Sequence, residues 1–108
     1  MSGQSSRSSG VLSASAVVSS SRCRLMSIHA VLTGTKPTTI RVFDNASAAS
    51  GTELARMIVA TADPTDPAAR VSPTMMEYDM HGVLASNGLY LSISSGAGEG
   101  AAVSVEFS

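Results

Sequence analysis

The residues of this chain that could do chemistry are few and scattered. Cys23 is the single cysteine, and His29 and His81 are the two histidines. A thiol nucleophile needs a neighbouring base to raise its thiolate fraction. Cys23 has only Arg22 and Arg24 beside it, so it reads as a small buried residue. A lone cysteine also forms neither an intramolecular disulfide nor a multi-cysteine zinc site. A histidine-rich metal site in a β-barrel needs several imidazoles and a carboxylate at close spacing. Only Asp79 comes near His81, so no metal ligand set and no cofactor is expected. Glu77 and Asp79 stand two apart, on one face of a regular strand, whereas glycosidic acid–base chemistry places its carboxyls on opposing walls of a cleft. They read as a solvated strand face. The serines form no Gly-x-Ser-x-Gly elbow, and "SSGAGEG" lacks the Lys-Ser/Thr that completes a phosphate loop. Asn45-Ala46-Ser47 matches a glycosylation acceptor but reads as a polar turn. No catalytic residue is expected, and the chain reads as a non-enzyme.

The elements that would position these residues are β-strands. "RLMSIHAVLTG" alternates Leu25, Ser27, His29 and Val31 against Met26, Ile28, Ala30 and Leu32, and the second, wholly apolar face predicts the core side. "VLSASAVV" is a weaker strand with Leu12, Ala14 and Ala16 on one face. "TTIRVFDN" follows a "GTKP" turn and sets Ile40 and Val42 against Arg41 and Phe43. "GTELARMIVATADP" has helical spacing at Leu54, Met57 and Ile58, but Ile58-Val59 is β-branched and its neighbours are strand-like, which favours strand. "DPTDPAA" predicts a loop, because proline cannot donate to a ladder. "TMMEYDM" alternates again. "GVLAS" and "LYLSIS" flank Asn87-Gly88 and predict a tight hairpin. "AAVSVEF" closes the chain with Val103, Val105 and Phe107 inward.

Seven or eight short strands without a confident helix predict an all-β fold, a jelly-roll-like antiparallel β-sandwich. Residues 1–10 are serine- and glycine-rich and predict an extended N-terminal arm, with one domain over residues 11–108. At 108 residues, with two Tyr, two Phe and no Trp, the core must be built from aliphatic side chains and is thin. A thin core raises the expectation of stability shared with a neighbour in an assembly.

Serine interrupts the N-terminal segment too often for a signal peptide, and no run approaches the roughly 18 apolar residues that cross a membrane. A soluble chain made in the cytoplasm, with no membrane partner, is expected. Charge is uneven along the chain. Residues 1–43 carry five basic and no acidic residues, whereas residues 44–108 carry eight acidic and two basic ones. Such asymmetry suits docking on an acidic surface or on an identical neighbour. The basic residues are too few, and too devoid of interleaved aromatics, to predict nucleic-acid binding.

The run "SIHAVLTGT … TTIRVFDNASAASGTELARMIVA … MHGVLASNGLYLSISSG … VSVEF" resembles the small jelly-roll virion proteins of tailed bacteriophages. The resemblance spans about residues 25–107, and "GVLASNGLYLSI" is its most distinctive piece. It implies a structural role, most often that of a capsid decoration or cement protein on the virion exterior, with neck, head-fibre and tail components as related roles. A carbohydrate-binding attachment module is a further alternative, for which Tyr78 and Tyr90 are the available platforms. The resemblance also implies a homotrimer that binds the major capsid protein across several subunits. Arg7, Arg22 and Arg24, in and after the N-terminal extension that the family pattern does not cover, are the expected docking residues.

Overall fold

The computed structural model describes residues 7–60 and 74–108. Eight strands are found among them, and no helix: β1 (Arg7–Ser8), β2 (Ala16–Ser19), β3 (Cys23–Leu32), β4 (Thr38–Asp44), β5 (Thr52–Val59), β6 (Met75–Ala85), β7 (Leu89–Ile93) and β8 (Ala101–Phe107). They form two four-stranded antiparallel sheets, A in the order β1-β8-β3-β6 and B in the order β2-β7-β4-β5. The expected all-β sandwich is therefore present. The pairing is nested, with β1 on β8, β2 on β7, β3 on β6 and β4 on β5, as if one long hairpin had been rolled up. The "DPTDPAA" segment lies outside the described residues.

The two sheets close over one aliphatic core. Sheet A contributes Leu25, Ile28, Ala30, Val103, Val105 and Phe107, and sheet B contributes Ile40, Val42, Met57, Val59, Leu89, Leu91 and Ile93. Each fully buried Leu, Ile or Val is worth roughly 1.5–3 kcal/mol relative to exposure, so the core rests on many modest terms. The stretch with mixed helix and strand signals is strand β5, with Met57 and Val59 buried and Arg56 and Ile58 outward. The single wholly buried polar side chain among the described residues, Thr38, accepts a hydrogen bond from Gly100 N at 2.9 Å.

Three expectations need correction. The alternation of β3 does not run straight through. Cys23 and Leu25 are buried, then Ile28 and Ala30, because a bulge falls between Leu25 and Ser27. Met26 is the extra residue against β8, and three residues of β6, Met80, His81 and Gly82, lie opposite it. The bulge changes the inward parity, so Leu25 is core and Met26 only half-buried. His81 and Gly82 take positive φ values of 53° and 82° to complete it.

The strand expected from Val11 begins only at Ala16. Leu12 instead bridges Val103 of sheet A, and Ala14 is exposed where the chain passes from one sheet to the other. Nor is Asn87-Gly88 a tight hairpin: β6 ends in sheet A and β7 starts in sheet B, so the dipeptide is the crossing between sheets. Asn87 N donates to Asp44 Oδ1 at 2.8 Å, tying the crossing to the end of β4. Gly88, at φ 146°, passes so close to Ser19 that a Cβ would sit 2.5 Å from its carbonyl oxygen and 3.1 Å from Ala46 Cα. Glycine is there for want of space.

The segment from Arg7 to Leu12 covers the outer edge of β8. Arg7 and Ser8 pair with Phe107 and Glu106. Ser9 N donates to Val105 O at 2.8 Å while Ser9 Oγ accepts from Val105 N at 2.9 Å. Leu12 and Val103 exchange bonds of 2.7 and 2.8 Å. Ser15 Oγ serves sheet B in the same way, accepting from Ile93 N at 3.0 Å. Serine hydroxyls thus stand in for ladder carbonyls where the chain is too irregular to pair.

Two outcomes are expected. Gly88→Ala should lower unfolding free energy by about 2 kcal/mol or more, read from urea denaturation, since the methyl group meets backbone atoms. Deleting residues 1–12 uncovers the β8 edge and should lower the urea midpoint and promote self-association on size-exclusion chromatography.

Candidate functional site

Register gathers the three expected docking residues at one end of sheet A. Arg7 opposes Phe107 on β8, and Arg24 and Ser108 exchange backbone hydrogen bonds of 3.0 Å in both directions. Arg22, Cys23, Arg24, Leu84 and Ser108 line one shallow depression there. Arg24 faces Leu84 across the β3–β6 ladder, its Nη1 donating to Gly82 O at 3.3 Å. Leu84 keeps 40% of its surface exposed, an apolar spot beside two guanidiniums. Among the described residues, none of the three arginines makes an ion pair with a side-chain carboxylate. Exposed leucine ringed by unpaired arginine is a surface suited to an acidic, partly apolar partner.

Cys23 lies under this end, buried. Burial pushes its thiol above the ordinary range, and a hydrogen bond from Ser19 pulls it back less strongly. The thiol is inert packing rather than a nucleophile.

The outer face of sheet A holds a network that the chain order conceals. Facing pairs bring Ser27 beside Asp79 and Glu106, and His29 beside Glu77 and Ser104. His29 Nδ1 lies 2.9 Å from Glu77 Oε2, Ser27 Oγ lies 3.3 Å from His29 Nε2, and Ser27 Oγ donates to Glu106 Oε1 at 3.0 Å. Serine, histidine and carboxylate in this order look like a nucleophile, its base and an orienting acid. The donor count argues the reverse. Ser27 has one hydroxyl proton, and Glu106 takes it, so Oγ can only accept from His29 Nε2. The ring then donates to Ser27 instead of removing its proton. The strand amides around it are engaged in the ladders of β3 with β6 and β8, so they do not form an oxyanion hole. What the network does is gather three carboxylates, Glu77, Asp79 and Glu106, on one face.

On sheet B, Arg41 of β4 stands opposite Arg56 of β5, with Glu53 between them. Of the two tyrosines, Tyr78 points inward and packs on the core, whereas Tyr90 lies opposite Phe43 on the outer face of sheet B. The "NAS" segment is a polar turn, as expected: Asn45 Oδ1 accepts from Ser47 N at 2.8 Å and Ala48 N at 2.9 Å. Among the described residues, no group of three or more His, Cys, Asp and Glu is placed to hold a metal, and no helix is long and apolar enough to cross a membrane.

No known family model, curated protein or solved structure matches the chain.

The buried, high-pKa thiol makes a clear expectation. Iodoacetamide at neutral pH should label Cys23 at least about tenfold more slowly in the folded protein than in urea, read by mass spectrometry. Equal rates would place the thiol in solvent.

Proposed function

We propose that the chain is a capsid decoration (cement) protein of a tailed bacteriophage, a jelly roll that binds across subunits of the major capsid protein on the virion exterior and acts as a homotrimer. The observation that carries the reading is the cluster of Arg7, Arg22 and Arg24 around exposed Leu84, unpaired among the described residues. The nested strand pairing supports the jelly-roll part of it, being the order that two Greek keys rolled together produce. The resemblance over residues 25–107 supports the virion part.

The physical logic follows from these surfaces. A protein that binds coat subunits only in their assembled arrangement stabilises that arrangement by mass action. Three linked copies turn a modest contact into a tight one through effective concentration. Such a role uses outward faces and ends, where this chain keeps its charge, and leaves the interior to packing.

Removing the first ten residues is a poor test of docking, because residues 7–9 also cover the β8 edge. Point changes separate the two roles. Arg22→Glu with Arg24→Glu should leave the circular dichroism spectrum unchanged and weaken co-sedimentation with preassembled coat shells about tenfold or more at low salt. The deficit should shrink toward roughly 0.5 M salt, where exposed charges are screened. Undiminished shell binding by this variant would remove the arginine end from the docking surface. The copy number relative to coat protein, by quantitative mass spectrometry of particles, tests the role itself. A ratio of order one fits cement, and a few copies per particle would move the protein to the neck, fibres or tail.

A further inference from the structure

The outer face of sheet B carries an arrangement that shell docking at the far end of sheet A does not use. The ladders set Arg41 directly opposite Arg56 on one side and Ser92 on the other. Like charges in facing positions weaken a sheet, so the pair requires a counter-charge. Glu53 supplies one carboxylate for two guanidiniums. Its oxygens take both bonds from Arg56, at 2.8 and 3.0 Å, in a bidentate fork. Arg41 Nη1 is left 3.8 Å from Oε1, beyond hydrogen-bond range. The Arg56 hydrogen bond holds the Glu53 carboxyl below its ordinary range, so the local balance stays at one excess positive charge.

The Arg41 guanidinium is therefore unengaged among the described residues and 40% exposed, and it lies over the Phe43 ring at 5.3 Å. Thr39, Ser92 and Ser94 line the same shallow depression. The Ser94 hydroxyl is committed, donating to Glu99 Oε2 at 2.8 Å and accepting from Thr39 N at 2.9 Å. The hydroxyls of Thr39 and Ser92 have no hydrogen-bond partner among the described residues. Half-buried Tyr90 stands two residues before Ser92 on β7, opposite Phe43, so its ring borders the depression.

We propose that this face binds an acidic saccharide of the uronic-acid type. Its carboxylate takes the guanidinium fork of Arg41, completing an alternation of Arg56, Glu53, Arg41 and ligand in which two positive groups face two negative ones. The ring hydroxyls meet Ser92 and Thr39, and the apolar face of the sugar lies against Tyr90. An acidic peptide would answer the charge alone and leave both hydroxyls and the ring unused. The site stands on a different sheet from Arg7, Arg22 and Arg24, so it does not depend on the capsid reading.

The test is an amide chemical-shift titration of the full chain with sodium glucuronate, with glucose, with digalacturonate and with a triglutamate peptide. Glucuronate and digalacturonate should shift Arg41, Ser92 and Tyr90 amides, and glucose should not. Arg41→Gln, which also relieves the facing charges and so keeps the fold, should weaken glucuronate binding at least about tenfold. Ser92→Ala should weaken it less, and Arg22→Ala with Arg24→Ala should leave it unchanged. The proposal is overturned if neither uronate shifts these amides, if glucose shifts them equally, or if Arg41→Gln binds as the parent does. Saturation by triglutamate at lower concentration than either uronate would overturn the saccharide and assign the face to an acidic protein.

Discussion

The bulge at Met26 is the constraint on which the outward surfaces of sheet A depend. β3 is the inner strand of that sheet, paired on both sides, and it must bury Cys23 and Leu25 at one end and Ile28 and Ala30 at the other. No regular strand can bury both pairs, because residues an odd number apart face opposite ways. The extra residue at Met26 absorbs the mismatch, and β6 answers with His81 and Gly82 in left-handed conformations. Had β3 stayed regular, Leu25 or Ile28 would lie in solvent. With the bulge, Ser27 and His29 share a face with Glu77, Asp79 and Glu106, and Arg24 shares one with Leu84.

Much of the sandwich is legible in the sequence, because alternation over five to eight residues is a local signal with a single physical reading. Ile40 and Val42 against Arg41, and Met57 and Val59 against Arg56 and Ile58, fall where their pattern puts them. β5 shows why context must join periodicity: helical spacing at Leu54, Met57 and Ile58 is outweighed by a place beside β4 that needs a strand. Asn87-Gly88 misleads for the opposite reason. The dipeptide permits a tight turn, but whether its flanking strands pair is decided by the other six strands, and these send β6 to β3 and β7 to β4 and β2. The glycine is required by Ser19 and Ala46, residues far away in the chain, which no local reading could supply.

The candidate surfaces were legible only in part, and for the same reason. Arg7, Arg22 and Arg24 stand out because no acidic residue precedes Asp44. That they meet at one end follows from Arg7 pairing with Phe107 and Arg24 with Ser108, contacts that close almost the whole chain. Arg41 and Arg56 are fifteen residues apart and look unrelated until the β4–β5 register sets them face to face. The serine-rich start looks like a disordered tail by composition. Its Ser9 and Ser15 hydroxyls take the place of strand carbonyls on both sheets, a use that composition alone cannot distinguish from solvation.

The charge asymmetry along the chain therefore becomes an asymmetry among surfaces, by a route its linear form does not suggest. Each sheet mixes the early and late halves: β1 and β3 lie with β6 and β8, and β2 and β4 with β5 and β7. Mixing of this kind would average charge away if the basic and acidic residues paired across the ladders. They largely do not. Arg24 faces Leu84, Arg41 faces Arg56, and the carboxylates of Glu77, Asp79 and Glu106 cluster around one histidine and one serine. A fold selected only for stability would place opposite charges opposite one another, gaining a few tenths of a kcal/mol at each exposed pair. Here the described residues keep an acidic face on sheet A, an arginine-rich end and an arginine pair on sheet B apart from one another, each unsatisfied by the chain itself. Separated, uncompensated charge of this kind is a feature of surfaces that complete themselves against another molecule.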